Sequence, residues 1–421
     1  MLPKIIIGVV ILVILVMTFG FLTKDKFPQK EAPLGLDRFF PNMDYFAETS
    51  NFPACGDKKE FFTTLPLSLD GFTTIDPLGL LAPTAHVFPT PHIYFRIKRE
   101  QPDNFNSPVL KFPLYAPADM TITRINLMQA TNRAEFADDS AVHFALCKDF
   151  KAYFDHVVDL SPKLQKAFDE GRVDRCDEYT LTYKDGPVNW KKCNKEVDLE
   201  VSEGELIGYA GGGEAQAVLD LGAYDLRIKP NNYASPKRQF RNELPYNVCP
   251  LDYFSQPLAG QLREKLGAYF ELSNSNTFTK SLTCGKVIQD IPGTAKGDWF
   301  APNIDTAQSG HEPPHLGLVQ GHIDQSLQAF SNGDSTKNSN LEMGLYYFTP
   351  KNSGFINRDF AEVKADGNVY CYETKNNYKQ GEPKTIIIQL ADPETLRIEG
   401  LNSNSCGSGP WNLTNYAEFE R

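Results

Sequence analysis

The chain has 421 residues, a formal net charge of -11 and an ordinary globular composition, with 41% hydrophobic and 12% aromatic residues. This length allows two or three domains, each with a core of its own. The acidic balance and the lack of a basic patch in the sequence exclude nucleic acid as the main partner, because phosphate binding requires clustered lysine and arginine.

An apolar run of 18 residues without a charge, Ile5 to Leu22, lies close to the N-terminus. A run of this length is just sufficient to span the hydrocarbon core of a bilayer as a helix. It is longer than the apolar part of a usual signal peptide, and no small-residue cleavage site follows it, so we interpret it as a retained anchor; a cleaved signal is the alternative. The sequence therefore predicts a transmembrane helix within residues 1–26 that attaches the protein to the membrane.

The cysteines indicate on which side of the membrane the body of the protein lies. There are eight of them, widely spread and without a CxxC pair. This pattern favours disulfides in an oxidising compartment over metal binding, with buried free thiols as the alternative. Local spacing favours three pairs: Cys176–Cys193, Cys249–Cys284 and Cys371–Cys406. We predict a single-pass protein of the cell membrane with an extracytoplasmic body.

Residues 27–60 are rich in proline, glycine, aromatic and charged residues without a periodic pattern, which predicts a stalk. Short β-branched and aromatic runs separated by turn sequences follow, which predicts strands. These runs are Phe61–Leu65, Phe72–Ile75, His92–Ile97, Val109–Leu114, Met120–Leu127, Ser140–Leu146 and Lys151–Val158. A helix is predicted from Ser161 to Glu170, because Ser161 can cap it, Pro162 suits its first position and Gly171 ends it.

The stretch from Val201 to Asp225 predicts two strands, starting at Leu206 and Val218, that fold back over a barrel-like sheet. The polar segment between residues 229 and 245 is a plausible boundary between domains. Beyond it we predict a helix from Ser255 to Gly267 and a hairpin at Asp366-Gly367, between residues 361–364 and 369–372. Further strands are predicted at Thr385–Leu390 and Thr395–Ile398.

The predicted fold is mostly β. It has an N-terminal transmembrane helix over residues 1–26, a stalk over 27–60, a β-sheet domain over 61–229 and a second β-rich domain over 245–421, with one short helix in each domain.

Three segments together resemble the LytM-type (M23) zinc peptidases: Tyr115-Ala116-Pro117-Ala118-Asp119-Met120-Thr121-Ile122, Tyr153-Phe154-Asp155-His156-Val157 and Gly204-Glu205-Leu206-Ile207-Gly208-Tyr209-Ala210-Gly211. They follow the order and spacing of that family's turn and strand motifs over residues 80–227. The resemblance implies a compact β-sheet groove. The C-terminal domain resembles no family that we recognise.

The zinc chemistry of that family uses a histidine and an aspartate four residues apart, followed by two histidines that flank a single residue. Three such side chains hold zinc with an open position for water, and a further histidine assists the reaction. In this chain the first motif falls at His92, where the fourth following residue is Arg96, and the second falls at Asp220-Leu221-Gly222. The resemblance therefore implies a peptidase-like fold that lacks the family's usual ligand set.

Five residues are nevertheless candidates for a site. His156 matches the assisting histidine and is the candidate catalytic residue, and His92 matches the first ligand, with Asp220 or Asp225 as replacement ligands. A His/His/Asp set can hold zinc, so His92, His156 and Asp220 are the candidate metal ligands. His92, His143, Asp220 and Asp225 are the candidate ligand-binding residues of the groove. Structural roles are the alternative for His143, His156 and Asp225.

Other catalytic motifs are excluded. His311-Glu312-Pro313-Pro314-His315 imitates the helical zinc motif HExxH, but its two prolines break the helix that would place both histidines on one face. No serine lies in a GxSxG elbow, and no GxxxxGK phosphate loop is present.

Three hypotheses follow. The first is an extracytoplasmic binding or scaffold protein that carries no cofactor and uses an inactive peptidase-like groove for an envelope peptide, glycan or protein. The second is a zinc endopeptidase of cell-wall or surface peptides with atypical ligands. The third is a structural component of the cell envelope.

Overall fold

The computed structural model describes residues 49–421 except for positions 84, 102–103, 105, 134–137, 184–185, 214–215, 240–242, 269–277, 305–311 and 380. The predicted transmembrane helix and residues 27–48 of the predicted stalk lie outside this range. Within the part of the chain that is described, no helix is long and apolar enough to cross a membrane.

The first eleven strands form one sheet, whose paired strands are all antiparallel. They are β1 Phe72–Asp76, β2 His92–Ile97, β3 Lys111–Tyr115, β4 Met120–Ala130, β5 Asp139–Cys147, β6 Phe150–Val158, β7 Arg172–Tyr183, β8 Gly186–Val201, β9 Leu206–Gly211, β10 Val218–Asp225 and β11 Asn247–Val248. Their order is β1-β2-β10-β6-β5-β4-β8-β7, with β9 paired to both β6 and β3 and β11 paired to β10. The chain is mostly β with a nearly closed, barrel-like sheet, and the predicted fold class is confirmed to that extent.

The first helix, α1 Pro162–Glu170, begins and ends where the sequence predicts. The Ser161 hydroxyl accepts a hydrogen bond from the Leu164 amide at 3.4 Å, which satisfies one of the free N–H groups at the start of the helix. Leu164 and Phe168 are the buried residues of the helix and pack into the core of the first sheet.

Two small strands, β12 Gly267–Ala268 and β13 Thr279–Lys280, precede the second large sheet. That sheet consists of β14 Gly297–Trp299, β15 Leu316–Gln320, β16 Gln328–Asn332, β17 Gly344–Phe348, β18 Tyr370–Asn376, β19 Glu382–Asp392, β20 Thr395–Leu401 and β21 Ala417–Glu420. Each strand pairs with the next along the chain, so the sheet is an antiparallel meander with its own aromatic core.

The first core extends further along the chain than the predicted boundary at residues 229–245. Hydrophobic residues between Leu244 and Val287 belong to it, including two from the second helix, α2 Leu258–Glu264. Phe254 lies 4.9 Å from Phe62, measured between ring centroids. The helix predicted for the C-terminal domain therefore packs with the first sheet, and it is shorter than predicted.

All eight cysteines form disulfides, and the three preferred pairs are confirmed: Cys176–Cys193, Cys249–Cys284 and Cys371–Cys406. The fourth bond joins Cys55 to Cys147 across 92 residues of sequence. Four disulfides indicate an oxidising, extracytoplasmic environment. The bond at Cys55, together with the hydrogen bond from the Thr49 hydroxyl to the Lys148 carbonyl at 2.9 Å, holds the end of the predicted stalk against the first sheet.

Two local predictions are wrong. Residues 361–364 form no hairpin arm, because the chain there makes a short 3-10 turn over Phe360–Glu362 whose Phe360 side chain is buried in the second core. Residues 61–65 form no extended strand, and Phe62 makes only an isolated bridge to Phe254. In both cases buried aromatic side chains outweigh the local turn or strand signal.

The segment that precedes β2 connects the two sheets. Leu81 packs against a face of the second sheet formed by Val319, Ala329, Leu345 and Tyr347. A few residues later, Val87 and Phe88 pack against Phe300. The start of β2 is therefore held between the two sheets.

The placement of residues 244–288 in the first core predicts the effect of Phe254→Ala. This change removes a buried ring and should lower the free energy of unfolding of the first sheet by about 3–5 kcal/mol. Hydrogen exchange followed by mass spectrometry should show faster exchange in β6 and β10. The matched control in the same segment is Leu282→Ala, because Leu282 is 91% exposed, and it should shift stability by less than about 0.5 kcal/mol. Faster exchange confined to the second sheet would contradict the assignment.

A candidate histidine–aspartate site

Three neighbouring strands of the first sheet, β2, β10 and β6, carry the candidate residues. Side chains alternate between the two faces of a strand, and Ile93 and Phe95 of β2 point into the core. His92 therefore lies on the opposite face. Asp220 pairs with Tyr94 of β2 on one side and with Asp155 of β6 on the other.

His156 reaches the same face through an irregularity in β6. Its φ is 64°, a left-handed conformation that is uncommon for residues other than glycine. The β5–β6 register shifts between Ser140 and Val142, directly opposite this position. Such bulges re-aim a side chain, and the His156 amide is held there by the Asp155 carboxylate at 2.9 Å.

The Asp220 carboxylate connects the two histidines. Its Oδ2 lies 3.1 Å from His92 Nε2 and 3.8 Å from His156 Nε2. The structure thus brings His92, His156 and Asp220 together. With Asp139 they form what we call the histidine–aspartate cluster.

The second ring nitrogen of each histidine also has an oxygen partner. His92 Nδ1 lies 2.8 Å from the Tyr153 hydroxyl, and His156 Nδ1 lies 2.9 Å from Asp139 Oδ2. The same Asp139 oxygen accepts a hydrogen bond from Gln216 Nε2 at 3.2 Å. Both imidazole rings are therefore held at Nδ1, and their Nε2 atoms lie 3.1 Å (His92) and 3.8 Å (His156) from Asp220 Oδ2.

Burial differs sharply across the cluster. The side chains of His92 and Asp220 are 10% and 4% exposed, whereas that of His156 is 31% exposed. A ligand from solution would meet His156 first.

The charges follow from this burial. Burial alone lowers the pKa of His156, but Asp139, Asp220 and Asp155 outweigh it and raise the pKa well above 6.5. Burial raises the pKa of Asp220 well above its ordinary value, and His156 only partly offsets this. Asp139 has a lowered pKa because the contacts with His156 outweigh its burial. At neutral pH, His156 is an imidazolium paired with the Asp139 carboxylate.

The other two candidates of the predicted groove lie differently. Asp225 is five residues from Asp220 on the same strand, so alternation places it on the other face, where it binds Arg227 at 2.7 Å and accepts a hydrogen bond from the Tyr253 hydroxyl at 2.7 Å. It is not part of the cluster. His143 lies beside the cluster. Its ring stacks on the Tyr153 ring, and the two centroids are 5.4 Å apart. Burial, with nearby Arg124, lowers the pKa of His143 to about 3 and keeps it neutral.

Four contacting residues were missed by sequence reasoning: Asp139, Tyr153, Asp155 and Gln216. Asp155 and Tyr153 lie within three residues of His156 in the sequence, but regular alternation would place both on the face opposite His156, so only the irregularity in β6 brings the three side chains to one face. Asp139 could not be found without the pairing of β5 with β6, nor Gln216 without the path of the loop before β10.

The two positions at which the resemblance would require zinc ligands are filled by other contacts. The Arg96 guanidinium binds the buried carboxylate of Asp76, through Nε at 2.9 Å and also through Nη2. Gly222 is the partner of His92 across the β2–β10 pair. A Cβ atom at this glycine would lie 2.2 Å from the Tyr153 ring, so the ring occupies the space that a side chain would need.

A group that could hold a metal is formed by Asp139, Asp155 and His156, whose ligand atoms lie within 4.8 Å of one another. In this group Asp139 and the His156 Nδ1 atom already bind each other. The Nε2 side of the cluster has more capacity, because the Asp220 Oδ1 atom is buried without a hydrogen-bond partner among the described residues.

Comparison with known proteins gives no assignment: no family model, no curated protein and no solved structure matches the chain.

The contact between Gly222 and Tyr153 predicts that Gly222→Ala is poorly tolerated. The added methyl group has to displace the Tyr153 ring and its bond to His92, which should lower the free energy of unfolding by about 1–3 kcal/mol. Gly260→Ala in α2 is the matched control, since its nearest contact would be at 3.7 Å, and it should be neutral or stabilising by up to about 1 kcal/mol. Urea unfolding measures the free energy of unfolding of both variants. Equal stability of the two variants would refute the contact between Gly222 and Tyr153.

The charge pattern predicts opposite titrations for His156 and His143. In an NMR titration between about pH 4 and 9, His156 should stay protonated above neutral pH, and His143 should stay neutral throughout. Because the folded state binds the His156 proton more tightly, its contribution to stability is complete below about pH 6.5 and is lost as the pH rises through the raised pKa. Asp139→Asn should lower the pKa of His156. An unchanged pKa in that variant would remove Asp139 as the cause.

Proposed function

We propose that the protein is an extracytoplasmic binding or scaffold protein, anchored to the membrane through its N-terminal segment. The histidine–aspartate cluster on the first sheet is its ligand site. The four disulfides support an oxidising, extracytoplasmic compartment. In this proposal the first sheet serves as a peptidase-like groove, as the resemblance implies, without catalysis.

One observation carries this proposal: both positions at which the resemblance requires zinc ligands are occupied by other contacts. Arg96 forms an ion pair with the buried carboxylate of Asp76, and the Tyr153 ring covers Gly222. A peptidase would need ligand side chains there and an open coordination position. The remaining cluster has features of a binding site, namely fixed orientation, strong charge and one exposed edge at His156.

A zinc endopeptidase with atypical ligands is the second candidate, favoured by the distances around Asp220. Ligand atoms of a tetrahedral zinc site lie roughly 3.3 Å apart, as follows from bonds of about 2.0–2.1 Å. The two measured separations, 3.1 and 3.8 Å, lie on either side of this value. Tyr153 and Asp139 would orient the two histidine ligands from behind. A bound zinc would supply a Lewis acid that activates water.

Metal analysis of the purified full-length chain separates the two candidates. Under the binding proposal, dialysis without chelator leaves much less than one zinc per chain, and cell-wall peptides stay intact with or without added zinc. About one zinc per chain, lost in both His92→Ala and Asp220→Ala, together with peptide cleavage, would replace the binding proposal with the hydrolase.

Binding itself is tested by sedimentation with isolated cell-envelope material. His156→Ala removes the exposed edge of the cluster and should reduce retention about 10-fold, a loss of about 1.4 kcal/mol. Lys166→Ala is the control, because Lys166 is an exposed residue of α1 whose partner Glu170 is also exposed. Equal retention of both variants would place the binding surface elsewhere.

A further inference from the structure

The second sheet carries an open cavity of about 200 Å³ at the protein surface, separate from the histidine–aspartate cluster and lined in part by exposed side chains. It lies where β17, β18, β19 and β20 meet, beside the loop that follows β20. Its lining is mainly polar, and the residues that matter for the argument are Glu342, Asn376, Lys379, Glu382, Lys384 and Asn404.

The charges in the lining cancel. Lys379 Nζ lies 2.7 Å from Glu342 Oε2 and 3.8 Å from Glu382 Oε2, and Lys384 supplies a second ammonium group. An anion would compete with the carboxylates for Lys379, and a cation would compete with Lys379 for the carboxylates. The lining therefore favours a neutral ligand that can donate and accept hydrogen bonds together.

The remaining polar groups have the same dual character. Asn376 is only 4% exposed, and its Oδ1 accepts a hydrogen bond from the Lys379 amide at 3.1 Å. Asn402, Ser403 and Asn404 line the other side. Amides and hydroxyls donate and accept hydrogen bonds, which matches a ligand carrying several hydroxyl groups.

The cavity is also held in shape. The Cys371–Cys406 disulfide fixes the loop two residues beyond Asn404. Next to the lining residue Leu401, the Gly400 backbone lies so close to the Asn340 carbonyl that a Cβ atom would stand 2.3 Å from that oxygen. A site that is already ordered loses less conformational entropy when a ligand binds.

We propose that this cavity binds one unit of a neutral, hydroxyl-rich saccharide. A volume of about 200 Å³ is several times the roughly 30 Å³ that one water molecule occupies in the liquid, which leaves room for a single sugar ring. The carboxylates of Glu342 and Glu382 accept from sugar hydroxyls, and Lys379, Lys384 and the asparagine amides donate to them. The sugar is either a free monosaccharide or the end of a longer glycan.

Saturation-transfer NMR and calorimetry on the full-length chain test the proposal with glucose, galactose, mannose and N-acetylglucosamine. At least one should bind saturably in the millimolar range, as expected for a ligand of this size, and the 6-phosphate of the sugar that binds should bind less well than the sugar itself. If the free sugar is the ligand, its short oligosaccharides should bind more weakly. If the glycan end is the ligand, they should bind at least equally well.

Two variants locate the binding. Lys379→Ala and Asn404→Ala should each weaken it about 10-fold, whereas Lys364→Ala, an exposed residue that does not line the cavity, should leave it unchanged. Near-ultraviolet circular dichroism verifies that the variants are folded. His156→Ala should retain saccharide binding. A failure of the saccharide proposal can therefore be distinguished from a failure of the function proposed for the histidine–aspartate cluster. No saturable binding by the four sugars, or full affinity in both cavity variants, would overturn the proposal.

Discussion

Asp220 places a carboxyl group at a point of the first sheet where only 3% of the residue is exposed. Leaving such a charge without a partner costs several kcal/mol, so a protein either protonates the group or supplies a cation. Here burial raises the pKa of Asp220, and the imidazolium of His156 lies within 4 Å of it. The arrangement of the rest of the cluster follows from this requirement, because His156 can stay charged only where other carboxylates surround it.

The irregularity in β6 makes that arrangement possible. In a regular strand, Asp155 and His156 would point to opposite faces. The left-handed conformation of His156 and the register shift beside it bring its ring between Asp139 of β5 and Asp220 of β10. Strained backbone of this kind persists where surrounding contacts hold it, and the two carboxylates provide such contacts.

The sequence predicted which residues form the site better than it predicted how they are arranged. His92, His156 and Asp220 were nominated from motif order, and the structure places them in contact. Asp225 was nominated by the same reasoning although its offset of five residues from Asp220 places it on the other face of the strand, so alternation alone could have excluded it. Asp139 could not be predicted from the sequence, because its contact with His156 depends on which strand pairs with β6 and on a shifted register.

The fold shows the same division between local and long-range information. The α1 helix and the three close cysteine pairs have local signals, and these predictions are confirmed. The extent of the first core is set by aromatic residues far apart in sequence, such as Phe62 and Phe254. A polar segment at residues 229–245 resembles a linker in composition, yet buried contacts on its far side continue the same core. Composition indicates where the chain is exposed, whereas only packing shows where a domain ends.

Arg96 and Gly222 show how neighbouring residues accommodate each other around the cluster. Arg96 is tolerable beside the cluster because Asp76 neutralises it, and Gly222 leaves no void because Tyr153 fills the space and also holds His92. An unpaired buried charge or an empty cavity at either position would be destabilising. These two pairs of residues therefore keep the surroundings of His156 ordered and tightly packed.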